Sequence, residues 1–165
     1  MFFSPNKYQI KKIIPSFLTL ILFLAISIYG TSELLGPLSK EEILENFPDW
    51  QEKVASYVPN QEVIEKLQSI QYAIEIEIFL GTWCPDSKRN VSAYFKIMDL
   101  VDNPLFMTTY IGLPRDKDSR KPFIEGKNII KIPTFIIIID NQEKGRIIEN
   151  PVKSVEEDLL DIIKK

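Results

Sequence analysis

Cys84 is the only cysteine in the chain, and it lies in the run Gly81-Thr82-Trp83-Cys84-Pro85-Asp86-Ser87. A thiol reacts as its thiolate. A proline directly after it suits the first position of a helix, so Cys84 is expected where unpaired backbone N–H groups and the positive end of a helix dipole favour the thiolate. Lys88 and Arg89 add positive charge close by, and Asp86 opposes it. Ser87 stands one helical turn on, where a hydroxyl could donate to the thiolate or merely suit a helix start. A buried, inert cysteine is the bland alternative. The place of Cys84 between a strand end and a helix start argues against it. With no second cysteine, no internal disulfide can form. With no histidine, a Cys-His or Ser-His pair and a His-ligated metal site are excluded. No metal and no cofactor are expected.

The elements that must position Cys84 can be read from periodicity. Ile74, Ile76 and Ile78 alternate with Glu75 and Glu77 and run into Phe79-Leu80, a strand over 74–80. From Pro85 the apolar residues Val91, Tyr94, Phe95, Met98 and Val101 fall on one helical face until Asn103-Pro104 stops it. A second strand is expected over 105–111. Residues 115–128 are densely charged and read as a solvated loop, with a short helix near 122–125. The β-branched run 134–139 reads as a strand covered on both faces. Asp140-Asn141 turns into a short strand over 146–149, and Ser154 with Glu157 caps a final amphipathic helix. Ile132-Pro133 enters the most apolar strand. A proline there marks a strand entry or edge, trans on base rates, and a cis bond would instead present a backbone edge.

The remaining chain divides by composition. Residues 1–12 carry Lys7, Lys11 and Lys12 and no acid. Residues 13–32 are uncharged and mostly Leu, Ile or Phe, about long enough to cross a bilayer. Three readings of this segment stand: a cleaved export signal ending near Gly30 to Ser32, an uncleaved anchor, or a buried helix. All-round apolarity beside a basic tip favours the first two, and places the rest of the chain outside the cytoplasm, in the periplasm of a Gram-negative cell. The whole chain is −3 at neutral pH, and without the basic tip the rest is more acidic still. That argues against a nucleic-acid partner, which needs a basic surface. Residues 33–69 read as a linker to Leu38 and then leading helices, one capped by Ser39 with Glu42, the others over 49–58 and 61–70. Residues 70–165 form the chemical domain. Strand, helix, strand, loop, hairpin and helix in that order describe an α/β sandwich with a mixed sheet.

Trp83-Cys84-Pro85-Asp86-Ser87 after one strand and Ile132-Pro133-Thr134-Phe135 before another resemble the thioredoxin family, over roughly residues 70–165. The membrane segment ahead of such a domain is similar to exported bacterial members. The resemblance implies a three-layer α/β/α sandwich and a cis Pro133 beside the Cys84 thiol. There Ile132 and Pro133 would pair with an extended peptide, Pro85 would sit beside the thiol, and Trp83 would wall the site. Two departures qualify it. The family's usual Cys-x-x-Cys is here Cys-x-x-Ser. The position of its buried Asp falls on Ile78, with Glu75 and Glu77 turned to the other face. The resemblance therefore implies monothiol exchange, in which Cys84 forms a mixed disulfide that an external thiol, or the substrate's own thiol, must release. Its partners would be protein thiols or disulfides and an outside thiol reductant. The alternative is a non-catalytic, chaperone-like module that holds a peptide or protein.

Overall fold

The computed structural model describes residues 33–165. The basic tip, the apolar segment 13–32 and the signal, anchor and localisation readings attached to them lie outside the described residues. Among the described residues, no helix is long and apolar enough to cross a membrane.

The elements follow one another as β1 (Gly36–Leu38), α1 (Lys40–Asn46), α2 (Pro48–Ser56), α3 (Gln61–Gln68), β2 (Ile74–Leu80), α4 (Pro85–Val101) and β3 (Phe106–Gly112). A 3-10 turn (Asp118–Arg120) leads into α5 (Lys121–Ile124), then β4 (Thr134–Ile139), β5 (Gln142–Ile148) and α6 (Val155–Ile163). The strands form one mixed sheet in the order β1-β3-β2-β4-β5. Only β2 and β3 run parallel; β1 against β3, β4 against β2 and β5 against β4 are antiparallel.

Strand alternation sorts the side chains between two faces. Ile74, Ile76 and Ile78 of β2 join Phe135, Ile137 and Ile139 of β4 in the main core. Trp50 of α2, Val63, Ile64 and Leu67 of α3, Tyr94 and Phe95 of α4 and Leu159 of α6 cover them. Each of these large side chains contributes roughly 1.5–3 kcal/mol by leaving water. On the opposite face, Phe79 and Ile136 pack with Cys84, Leu113 and Ile132, and Ile138 is half-buried against them. This second face differs from the expected three-layer sandwich. Its cover is the 113–132 segment, whose only helical pieces are the 3-10 turn and the four-residue α5. Eight charged or proline positions from 114 to 122 prevent a longer apolar stripe from forming there.

The sequence set residues 33–69 apart as linker and leading helices. In the structure they belong to the same compact unit, which runs from Glu33 to Lys165. Residues 36–38 are an edge strand in register with Gly112, Ile111 and Tyr110. Gly36 has φ +77, which glycine adopts without a Cβ penalty. Gly112 lets the lead-in close, because a Cβ there would lie 2.2 Å from the Leu34 carbonyl oxygen. At the other edge, Asp140 and Asn141 both take positive φ, 53 and 59, the geometry of a tight hairpin turn. Strand β5 starts at once at Gln142, four residues before the expected start. Its polar outer residues carry no strand pattern of their own; pairing with β4 makes them a strand.

Local caps set the helix ends. Ser39 Oγ accepts from Glu42 N–H, and Ser154 Oγ from Glu157 N–H. Helix α4 begins after Cys84 with Pro85 in its first turn, and ends at Asp102 in the left-handed region just before Asn103-Pro104. Glu156, buried at the start of α6, fastens the α2–α3 connection to the body. It accepts from the Tyr57 hydroxyl at 2.6 Å and from Asn60 N–H at 3.0 Å.

Candidate functional site

Strand β2 carries the chain to Leu80, and a turn closed by Cys84 N–H on the Gly81 carbonyl (2.9 Å) redirects it into α4. The Cys84 carbonyl accepts the first helical bond, from Lys88 N–H at 3.0 Å. Cys84 is thus the N-cap residue, as the proline after it suggests. Its side chain makes no capping bond to the helix. The sulfur turns to the next strand over, 3.9 Å from the Ile132 carbonyl oxygen. Cys84 is only 8% exposed and packs in a small apolar cluster with Phe79, Leu113, Ile132 and Ile136.

The two sequence-predicted halves of the site meet there. Ile132, Trp83 and Cys84 share that cluster, and the Ile132–Pro133 peptide is cis. Pro133 is buried and its carbonyl accepts from Glu149 N–H at 2.7 Å. Pro85 is exposed at the rim. Gly81 makes the convergence possible. A Cβ at Gly81 would lie 2.8 Å from Trp83 Cε2 and 2.9 Å from Ile132 Cδ1.

Ser87 is placed differently from the expected thiolate donor. It is fully buried, and its Oγ accepts from Gly81 N–H at 3.1 Å. Among the described residues it makes no hydrogen bond to Cys84. Accepting uses a lone pair and leaves the hydroxyl proton. The cations expected to favour the thiolate are also committed elsewhere. Lys88 pairs with Asp49 at 2.6 Å and Arg89 with Asp86 at 2.7 Å. Ile78 is buried in the main core. Glu77 lies on the other face and is held by Lys127 at 2.6 and 2.8 Å.

Nothing in the sequence hints at what surrounds Trp83. Its Nε1–H donates to the Leu113 carbonyl at 3.0 Å. Two guanidinium groups lie against its ring, Arg115 at 4.9 Å and Arg120 at 5.5 Å from the centroid. Arg120 is only 8% exposed, against the expectation of a solvated run. It donates to the carbonyls of Pro114 (2.8 Å) and Arg115 (3.1 Å), which folds the loop onto the indole. Thr82 Oγ1 accepts from Leu34 N–H at 3.3 Å, and the Glu33 carboxylate accepts from Arg115 N–H at 3.0 Å. The lead-in to β1 is therefore fastened beside the thiol. A charge-rich loop carries no periodic signal, so only the packing of the indole reveals these roles.

The sequence matches the family model described as thioredoxin over residues 39–160. Among solved structures, the chain is similar to a protein of unknown function from Pseudomonas aeruginosa. The two share 19% identity with a TM-score of 0.55, over 77% of this chain and 98% of that one. An HIV epitope-scaffold shares 20% identity with a TM-score of 0.55, over 74% of this chain and 84% of that one. A thioredoxin from Trypanosoma brucei brucei shares 22% identity over 66% of this chain and 89% of that one, with a TM-score of 0.41. No curated protein matches the sequence. The family match begins in α1 and ends in α6, and takes in the strand end, Cys84, α4 and the Ile132–Pro133 turn. The chain belongs to the thioredoxin family, whose fold is of the thiol–disulfide oxidoreductase type.

Proposed function

We propose that the protein carries out monothiol thiol–disulfide exchange outside the cytoplasm, through a mixed disulfide at Cys84. The observation that carries this reading is the placement of a lone thiol at the N-cap of α4, 3.9 Å from the Ile132 carbonyl. In the first step the Cys84 thiolate attacks one sulfur of a substrate disulfide. A bond forms between Cys84 and that sulfur, and the other substrate sulfur leaves as a thiolate. In the second step the substrate's own thiolate attacks the substrate sulfur and Cys84 departs as a thiolate. Alternatively, an outside thiolate attacks Cys84 Sγ and the substrate departs as a thiolate, after which a second outside thiolate attacks the outer sulfur and frees Cys84. Exchange by the substrate's own thiol is isomerisation; exchange by an outside thiol is net reduction. Trp83 and Ile132 wall the thiol, and Pro133 and Pro85 shape the platform. Support for the location is the uncharged segment 13–32 behind a basic tip.

The burial of Cys84 favours a second reading, a non-catalytic module that holds a peptide or protein partner. Treating the full-length protein with a neutral dipyridyl disulfide separates the two. Exchange requires release of one equivalent of thiopyridone from the folded protein, followed by recovery of the free thiol when a second thiol is added. Reaction only after denaturation would overturn the exchange reading and leave the binding module.

A further inference from the structure

The wall of the site carries two cations with little to balance them. Among the described residues, the Arg115 guanidinium donates no hydrogen bond. Its one acidic neighbour is Glu33 at 3.6 Å, and that carboxylate already accepts from the Arg115 backbone N–H. The Arg115 side chain is 69% exposed, yet it is held in place from two sides. Its ring contact is with Trp83, and its backbone is tied to Glu33 and Arg120. Arg120 is nearly buried and has no carboxylate within ion-pair distance among the described residues. Asp116, four residues back, lies close enough for the Arg120 charge to favour its carboxylate, but its direct bond is to Ser119, whose N–H it accepts at 3.0 Å. Residues 1–32 contain no Asp or Glu, so they cannot supply the missing charge. A buried cation without a paired anion is costly, and an arginine fork fits a carboxylate with two parallel bonds. By contrast, Lys88, Arg89 and Lys131 near the thiol each meet an acidic partner at hydrogen-bond distance, 2.6, 2.7 and 2.5 Å.

We infer that Arg115, backed by Arg120 across the Trp83 ring, is a specificity-determining residue for the exchange proposed above: it selects a thiol that carries a carboxylate close to its sulfur. The inference rests on that exchange reading. Its consequence lies in the step the chain cannot perform alone. The outside thiolate must approach the mixed disulfide past Trp83. A carboxylate on Arg115 would hold it there while its sulfur bonds to Cys84 Sγ and the substrate sulfur leaves as a thiolate. The carboxylate can belong to a small acidic thiol or to an Asp or Glu beside a peptide cysteine.

The test caps Cys84 of the full-length protein with a thiopyridyl group. Release of thiopyridone is then followed with 3-mercaptopropionate, 2-mercaptoethanol and cysteamine. An incoming thiolate attacks Cys84 Sγ and thiopyridone leaves, so the readout needs no other reactant. Each rate is divided by the rate of the same thiol on a small pyridyl disulfide, which removes intrinsic differences between thiols. A semi-exposed ion pair is worth about 0.2–1 kcal/mol, which for two such contacts predicts a roughly two- to thirtyfold corrected preference for 3-mercaptopropionate over cysteamine. The preference should shrink in high salt, vanish in Arg115→Gln and survive in Arg115→Lys. Two short peptides with Asp or Lys beside a cysteine separate the sources. Acidic preference in both series assigns a peptide neighbour; in the small thiols alone, a low-molecular-weight thiol. A corrected ratio of one, or a ratio that Arg115→Gln leaves unchanged, overturns the inference while exchange stands. Failure of the folded protein to accept the cap overturns the exchange reading itself.

Discussion

Gly81→Ala probes the packing that holds the site together. The new Cβ would sit 2.8 Å from Trp83 Cε2, 2.9 Å from Trp83 Nε1 and 2.9 Å from Ile132 Cδ1. Carbon atoms prefer about 3.5–4.0 Å, so each neighbour must yield by roughly 0.6–1 Å. Ile132 Cδ1 is the free end of a flexible side chain and can rotate away. The indole cannot: Nε1 is bonded to the Leu113 carbonyl, and the ring lies against Arg115 and Arg120. Overpacking of this kind costs about 1–3 kcal/mol. Displacing the indole adds about 0.5–1.5 kcal/mol for the lost hydrogen bond. Lower backbone entropy in the unfolded chain offsets about 0.4–1 kcal/mol. The expected net loss is about 0.5–4 kcal/mol, centred near 2. Urea unfolding measures it, with a lower midpoint and an unchanged slope. Trp50, buried in the main core, reports global unfolding, and replacing it with Phe isolates the Trp83 signal. The Trp83 indole N–H resonance should shift and exchange faster with solvent. A variant as stable as the parent, with that resonance unmoved, would refute the reasoning that Gly81 is the seat of the indole.

Three further outcomes are expected. Ser87→Cys places a second thiol one helical turn from Cys84, within the usual Cα separation for a disulfide of about 4.4–6.8 Å. It should release mixed disulfides without an outside thiol, read by mass spectrometry of trapped complexes. Loss of the Gly81 N–H acceptor should cost about 0.5–1.5 kcal/mol. Glu156→Ala strands the Tyr57 hydroxyl and the Asn60 N–H, which should lower stability by about 2–3 kcal/mol in urea unfolding; a loss below about 0.5 kcal/mol would show that water replaces the carboxylate. Burial raises the phenol pKa of Tyr57, Tyr94 and Tyr110 above the ordinary 10.0, reinforced at Tyr57 by its bond to Glu156. Above pH 10.0 the unfolded chain sheds protons that the folded chain keeps. Stability contributed by these tyrosines is therefore complete below that pH and falls as pH rises through it. Tyrosinate absorbance followed alongside unfolding checks this; ionisation in step with free tyrosine while the protein stays folded would contradict it.

Local rules were enough for much of the molecule. Alternation in residues 74–79 and the β-branched run of 134–139 encode strands because a pleat sends neighbours to opposite faces. Cys84-Pro85 encodes a helix start because proline fixes φ and needs no hydrogen bond there. Ser39, Ser154 and Asp140-Asn141 announce their own caps and turn through short-range bonding. These features need no partner from elsewhere in the chain. By itself the sequence also determined that Cys84 has no second cysteine beside it in the chain. Other features depended on contacts distant in sequence, and only the folded chain decided them. Residues 36–38 become a strand because β3 offers an unpaired edge, and Gln142–Lys144 because β4 does. Ser87 serves the Gly81 N–H because the end of β2 comes down beside the first turn of α4. Arg120 leaves water because an indole and two carbonyls give its guanidinium partners that a sequence cannot foresee. Pattern places each element; only three-dimensional closure decides which polar groups meet, and so what stands around the thiol.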